Sequence, residues 1–188
     1  MSEPDSIEKK PKTWKQDIYE SLKILLISLL IVIPIRFFVA QPFVVKGASM
    51  EPTYHDNDYL IVDELSYSLG EIKRGDVIVL HYPVNPAEFF IKRVIGLPGE
   101  TIIIRAGKVY VRKSGLSKEE QLLEPYIDSK TLTRADQTEY AVPLGNYFVL
   151  GDNRQHSSDS RYWGYLERRF VVGRALVRLW PLSKVGLL

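Results

Sequence analysis

One serine in a constrained setting is the first feature of the sequence that could do chemistry. Ser49 lies in the stretch KGASMEPT, residues 46–53, and Pro52 fixes the backbone shortly after it. A serine hydroxyl is a weak nucleophile until a neighbouring group takes its proton. A G-x-S-x-G nucleophile elbow needs glycine two residues after the serine, but Glu51 stands there, which excludes the α/β-hydrolase arrangement. The base must therefore come from elsewhere in the chain.

Lysine can be that base if apolar surroundings lower its pKa enough to leave a neutral amine. Lys92 lies inside the stretch FFIKRVIG, with Phe90 and Val94 at even spacing. In a β-strand these three side chains share one face, so the lysine has aromatic and branched neighbours that would desolvate it. The alternative for any single strand lysine is an exposed position on an edge strand.

A third polar segment, GDNRQHSSDSRYWG at residues 151–164, lies between two β-rich runs. It is rich in Asn, Asp, Ser and Gly. Taken alone, such a loop is typical of a turn held by hydrogen bonds between side chains and backbone.

Composition excludes several other kinds of chemistry. The chain has no cysteine, which rules out thiol nucleophiles, Cys-based zinc sites and disulfides. Its three histidines, His55, His81 and His156, show no metal-binding spacing, so we expect no metal. With 25 Lys and Arg against 23 Asp and Glu, the charge is nearly balanced, and nucleic acid is not an expected partner.

An apolar run precedes Ser49. Residues 22–40, LKILLISLLIVIPIRFFVA, are long and apolar enough to nearly cross a bilayer, which predicts one transmembrane helix. The alternative is a cleaved signal peptide, but Phe38 is too large for the small-x-small cleavage pattern before residue 41. We therefore expect a retained anchor in contact with a lipid bilayer.

The distribution of lysines predicts the orientation of that anchor. Two cationic residues follow the apolar core closely, Arg36 and Lys46, whereas more lie before or at its start: Lys9, Lys10, Lys12, Lys15 and Lys23. Positive charge favours the cytoplasmic side. Residues 1–21 are thus expected in the cytoplasm, and residues 41–188 on the other side of the cell membrane, with a thylakoid or another inner membrane as an open alternative.

The remainder of the chain is predicted to be mainly β. Short runs such as YLIVD, DVIVLHY, ETIIIR, KVYVR and YFVLG are rich in Val, Ile, Tyr and Phe and are separated by Gly, Pro, Asn and Asp. Residues 106–142 are more polar and charged, which favours an insertion on this β domain rather than a second fold.

Four stretches in this order, after an apolar segment, resemble the type I signal peptidases, which are membrane-bound serine proteases that remove signal peptides. GASMEPT resembles the nucleophile box of the family, RGDVIVL a core strand, IKRVIGLPGE the general-base box, and GDNRQHSSDSRYWG the box that supports the site. The similarity covers residues 41–182. It implies a mainly β fold with an antiparallel, β-barrel-like catalytic core and one N-terminal transmembrane helix.

By this resemblance Ser49 is the nucleophile and Lys92 its general base. The resemblance also implies that Ser157 binds and orients the lysine amine, and that Asp159 and Arg161 form an ion pair behind the site. No cofactor is implied. The implied substrates are preproteins cleaved after a small-x-small site such as A-x-A.

The oxyanion hole is where the chain departs from part of the family. The resemblance assigns one donor to the backbone N–H of Ser49. Some members add a serine hydroxyl two residues earlier, where this chain has Gly47. A backbone N–H would have to replace that hydroxyl, and its identity stays open.

The sequence leaves two other interpretations open. One is a self-cleaving repressor-type protease, which would need a DNA-binding domain in the place of the apolar segment. The other is a non-catalytic, membrane-anchored β module in which Ser49 and Lys92 are structural.

Overall fold

The structure is a computed structural model that describes residues 14–34, 40–65, 67 and 70–187. The chain divides into two compact units, residues 1–38 and 39–188. The described part of the first unit is one helix, α1, Trp14–Pro34. Most of its apolar side chains between residues 24 and 32 are exposed.

The predicted membrane span, residues 22–40, coincides with α1 only in part. The helix already includes Trp14, and it ends at Pro34, where the ring removes a backbone donor. Positions 35–39 of the predicted span lie outside the described residues. None of the helices in the described residues has the combined length and apolar character that a membrane crossing requires.

The second unit is built on an eight-stranded antiparallel sheet, as the Val- and Ile-rich runs predict. The strands are β1 Ala40–Val44, β2 Tyr59–Asp63, β3 Val77–Tyr82, β4 Asn85–Gly96, β9 Asn146–Leu150, β10 Leu166–Glu167, β11 Val171–Trp180 and β12 Gly186–Leu187. Their order in the sheet is β1-β2-β11-β3-β4-β9-β10, and β12 pairs with β11.

The prediction of a barrel-like closure of this sheet is wrong. Within the described residues, β1 pairs only with β2, and β10 pairs only with β9, so the sheet is open at both ends. A barrel needs its first and last strands to bond to each other. Residues 85–92 of β4 likewise pair with β3 on one side only. The unpaired strand edges in the described part of this unit therefore include one on β1 and one on the first part of β4.

The polar segment at residues 106–142 contributes three strands. They are β6 Lys108–Arg112, β7 Glu119–Gln121 and β8 Glu139–Ala141. Together with β5, Thr101–Arg105, they form a four-stranded sheet of order β7-β6-β5-β8. Buried side chains of this sheet, including Ile102, Val109 and Tyr140, pack in one cluster with Phe148 of β9. The segment thus shares a core with the main sheet.

A few short helical turns complete the described part of this unit. They are helix α2, Ser160–Trp163, and two 3₁₀ turns, Arg168–Phe170 and Leu182–Lys184.

One apolar cluster positions the two residues predicted to react. Met50, next to Ser49, is fully buried, and Ile91, next to Lys92, is buried in the same cluster with Tyr54 and Leu60. Neighbours of both residues are thus packed against each other, which fixes the turn after β1 relative to β4.

Candidate active site

Ser49 and Lys92 lie in direct contact although 43 residues separate them in sequence. Ser49 lies in the turn that follows β1, and Lys92 lies in β4. The distance from Lys92 Nζ to Ser49 Oγ is 2.9 Å. Nζ also lies 2.8 Å from the Ile91 carbonyl oxygen, to which it donates. A neutral amine in this position could take the hydroxyl proton.

The surroundings of Lys92 favour the neutral amine. The side chain is 3% exposed, and Nζ lies 4.9 Å from the centre of the Phe90 ring. Burial lowers the pKa of Lys92 from 10.5 to about 8, against the opposing effect of the carboxylates of Asp159 and Asp152. About a tenth of the amine is then neutral at pH 7, several hundred times more than for a free lysine.

Ser157 lies at the same site without contacting the amine by a hydrogen bond. It is buried, and its Oγ has no hydrogen-bond partner among the described residues. Gly151 lies between the turn that contains Ser49 and the residue Ser157. A Cβ at this position would lie 2.2 Å from Ser157 Oγ and 2.4 Å from the Ser49 carbonyl oxygen. Only glycine fits between the nucleophile turn and Ser157.

Asp159 and Arg161 form a buried, bidentate ion pair. Both Arg161 Nε and Nη2 lie 2.8 Å from the carboxylate oxygens of Asp159. The carboxylate also accepts from the Gly151 N–H at 3.1 Å, and Arg161 donates to the Arg134 carbonyl at 2.9 Å. The pair therefore connects the loop beside Lys92 with residues 106–142.

Gly47 has a structural role in the turn before Ser49. Its φ of +82° is in the region that favours glycine. Its N–H donates to Asp56 Oδ1 at 2.8 Å, so this donor is already engaged. By contrast, the Ser49 N–H makes no backbone hydrogen bond in the described part of the chain. Of these two backbone donors, the Ser49 N–H is the one left for a developing oxyanion.

A second buried ion pair, between Arg93 and Asp152, escaped the sequence reasoning. Arg93 Nε and Nη2 lie 2.8 and 2.6 Å from the two oxygens of Asp152, and Thr53 Oγ1 donates to the same carboxylate at 2.6 Å. One carboxylate thus joins the nucleophile turn, the base strand and the loop after β9. The sequence feature that could have indicated Arg93 is strand alternation, because it places Arg93 on the face of β4 opposite to Lys92.

Arg154 extends this support into residues 106–142. Its side chain is fully buried, forms an ion pair with Glu124, and donates to the Gly151 carbonyl at 3.1 Å. Tyr126 donates to the same Glu124 at 2.8 Å, and its ring lies 3.9 Å from the Arg93 guanidinium. The segment predicted as an insertion therefore packs directly on the candidate site.

A cleft of about 600 Å³ opens onto Ser49 and Lys92. Its walls come from β1 and β4, including Phe43 and Phe89, whose ring centroids are 5.4 Å apart. Both strands have an unpaired edge in the described residues. The cleft can thus accept an extended peptide beside the candidate dyad.

Comparison with known proteins identifies the family. The family model described as "Signal peptidase, peptidase S26" matches residues 18–180. Signal peptidase I from Leptolyngbya laminosa is 40% identical over 176 residues, which cover 90% of this chain and 83% of that protein. Signal peptidase I from Bacillus caldolyticus is 39% identical over 166 residues, which cover 84% of this chain and 89% of that protein.

Among solved structures, a signal peptidase I from Enterococcus faecalis V583 is 32% identical, covering 55% of this chain and 96% of that one with a TM-score of 0.46. The match to the family model and the two sequence relatives together assign the chain to a protein family. The chain belongs to the signal peptidase family, peptidase S26, as a serine endopeptidase of the signal peptidase I type.

Proposed function

We propose that this chain removes signal peptides from preproteins by acyl transfer, with Ser49 as nucleophile and Lys92 as general base. The observation that carries the proposal is the 2.9 Å contact between Ser49 Oγ and a Lys92 amine that is almost completely buried. Burial disfavours the ammonium form, which is the condition that a lysine base requires.

Acylation begins when the neutral Lys92 amine takes the Ser49 proton while Oγ attacks the carbonyl carbon at the end of the signal peptide. The carbonyl oxygen becomes an oxyanion, to which the Ser49 N–H donates. As the intermediate collapses, the C–N bond breaks, and the Lys92 ammonium returns its proton to the leaving amine. The mature protein departs with a free amino terminus, and the signal peptide remains as an ester on Ser49.

Deacylation repeats these steps with water. Neutral Lys92 takes a proton from the water, the hydroxide attacks the ester, and the ammonium protonates Ser49 Oγ as the C–O bond breaks. Lys92 returns each proton that it accepts, so its amine is neutral again when the next cycle begins. The Asp159–Arg161 and Arg93–Asp152 pairs keep the loop after β9 and the base strand in place.

The substrate is proposed to lie extended between the free edges of β1 and β4 and to add main-chain hydrogen bonds to them. Alternate side chains of an extended peptide point to the same side. Two side chains, those of the residue before the cut and of the residue two earlier, would then face the wall of the cleft. Preference for small residues at both places would give the small-x-small rule.

Membrane attachment through residues 22–40 is part of the proposal. Its support is the run of exposed apolar side chains along α1, which includes Leu26, Leu30 and Ile31. The lysines that precede the run favour a cytoplasmic amino terminus and a catalytic unit on the opposite side. Retention of the full chain in the membrane fraction at alkaline pH would test the attachment.

The direct test is incubation of the detergent-solubilised full chain with a secretory precursor, followed by mass measurement of the products. We expect one cut after an A-x-A site. Ser49→Ala and Lys92→Ala should each abolish it, and the double variant should be no worse, because the pair acts as a unit.

Two matched controls lie outside the cleft. Lys113 and Ser114 are exposed and do not line it, so Lys113→Ala and Ser114→Ala should retain cleavage. Near-wild-type processing by a folded Lys92→Ala variant would overturn the dyad. Cleavage at unrelated sites would overturn the proposed specificity.

A further inference from the structure

The loop after β9 holds both peptide groups that flank Ser49, through a single residue. Asn153 Nδ2 donates to the Ala48 carbonyl oxygen at 3.1 Å. The backbone N–H of the same residue donates to the Ser49 carbonyl oxygen, also at 3.1 Å. Asn153 thus contacts the peptide group before Ser49 and the one after it.

The first of these contacts controls the direction of the Ser49 N–H. A peptide group is planar and trans, so the Ala48 C=O and the Ser49 N–H are parts of one rigid unit and point in opposite directions. If the carbonyl is held toward Asn153, the N–H must point away from the loop after β9. Both Ala48 and Ser49 line the cleft, and the N–H has no backbone acceptor among the described residues.

We propose that Asn153 is a positioning residue for the oxyanion hole, whose side-chain amide fixes the plane of the Ala48–Ser49 peptide and thereby aims the Ser49 N–H at the substrate oxyanion. This inference rests on the proposed function of Ser49 as the nucleophile. It assigns to Asn153 no contact with the substrate and no proton transfer.

The loop that carries Asn153 is rigid enough for this role. On one side of Asn153 in sequence, Asp152 is held by its ion pair with Arg93. On the other side, the fully buried Arg154 side chain donates to the Gly151 carbonyl at 3.1 Å. The amide therefore projects from a backbone that is fixed at both neighbours, and its position relative to Ala48 is defined.

The opposite end of the nucleophile turn is held in a similar way. The Gly47 N–H donates to Asp56 Oδ1 at 2.8 Å, which fixes the preceding peptide group. Without the Asn153 amide, the Ala48 carbonyl would keep one weaker partner, the Glu51 N–H at 3.2 Å. The Ala48–Ser49 peptide would then be held less firmly, and its plane could tilt.

Two substitutions separate this role from a general loss of structure. Asn153→Ala removes the amide donor. Asn153→Asp keeps the shape but directs a carboxylate oxygen at the Ala48 carbonyl oxygen, which repels it. Removal of an oxyanion donor typically costs about 100- to 1,000-fold in kcat. We expect about a 10- to 100-fold decrease for Asn153→Ala, because the donor is misdirected rather than removed, and a larger decrease for Asn153→Asp.

The experiment uses the full chain in detergent with a peptide spanning an A-x-A site, and with a peptide aldehyde of the same sequence that forms a tetrahedral adduct on serine. Gln155→Ala, an exposed position in the same loop, is the control. Both Asn153 variants should lose kcat with KM unchanged. They should lose affinity for the aldehyde by a similar factor. Asn153→Ala should also keep the pH midpoint of wild-type activity, because the Ser49–Lys92 contact is untouched and no charge is added near the amine.

Unchanged kcat in both variants, or an increase in KM without loss of kcat, would overturn the inference. So would a shifted pH midpoint in Asn153→Ala or loss of the fold in both variants, since either would make Asn153 a general structural residue. Failure of the wild-type chain to cleave the peptide would instead contradict the proposed function, and the two failures are thus distinguishable.

Discussion

Replacement of Lys92 by methionine should make the protein more stable while it abolishes activity. Methionine has a length similar to that of lysine and is apolar, so it can occupy the position beside Phe90 without a buried charge. Lys92 is 3% exposed, and its only hydrogen bonds among the described residues are those to Ser49 and the Ile91 carbonyl. Wild-type stability therefore includes the cost of holding an ammonium group away from water.

The size of this cost follows from the pKa of Lys92, which burial lowers from 10.5 to about 8. Each tenfold change in proton affinity corresponds to about 1.4 kcal/mol, which gives a cost of about 3 kcal/mol below pH 8. Between pH 8 and 10.5 the unfolded chain binds more protons at this position than the folded chain does, so wild-type stability rises with pH. The advantage of Lys92→Met should therefore be largest below pH 8 and should shrink toward pH 10.5.

The assay is urea unfolding of the full chain in detergent, followed by tryptophan fluorescence at pH 6.5 and pH 9.5. We expect Lys92→Met to be about 3 kcal/mol more stable than wild type at the lower pH and about 1 kcal/mol more stable at the higher. Lys46→Met, at an exposed position in the same cleft, should change little at either pH. Equal stability of Lys92→Met and wild type at pH 6.5 would refute the claim that burial disfavours the ammonium.

Two further substitutions test the support of the site. Gly151→Ala should abolish processing, because the new Cβ would lie 2.2 Å from Ser157 Oγ. The control is Gly186→Ala, where a Cβ meets nothing within 4 Å, and this variant should retain processing. Similar activity of the two variants would contradict the close packing around Gly151. Asp152→Asn should lower the free energy of unfolding by about 3–5 kcal/mol, because it leaves the buried Arg93 without its counter-ion. Glu120→Gln, at an exposed ion pair, should leave the midpoint of urea unfolding close to that of wild type, and equal midpoints for the two variants would contradict this account.

The surroundings of the proposed dyad could be predicted in part from the sequence, because some of the signals are local, whereas the pairing of Ser49 with Lys92 came from the family resemblance. The even spacing in β4 places Lys92 on the same face as Phe90, and the structure has the amine over that ring. One sequence neighbour of each residue is apolar, Met50 beside Ser49 and Ile91 beside Lys92, and these two pack in one cluster. Local patterns of this kind are sufficient when each residue's own segment determines its environment.

Contacts between distant segments could not be predicted in this way. Arg93 and Asp152 are 59 residues apart, and either could equally well be a solvated charge. In residues 106–142 the sequence predicted β6 but not β7 or β8, nor the two side chains, Glu124 and Tyr126, that support the loop after β9. The prediction of barrel closure was wrong for a similar reason, because the pairing of the two sheet edges depends on the position of every strand between them.

The pH dependence of kcat/KM tests the central claim most directly, because it reports the ionisation of the base in the free enzyme. The measurement uses a peptide spanning an A-x-A site, the full chain in detergent, and a check of the fold at each pH. Because the pKa of Lys92 is about 8, activity should rise from neutral pH with a midpoint near 8 and reach its plateau above it. An ascending limb that is complete by about pH 7 would indicate a histidine base and would contradict the assignment of Lys92.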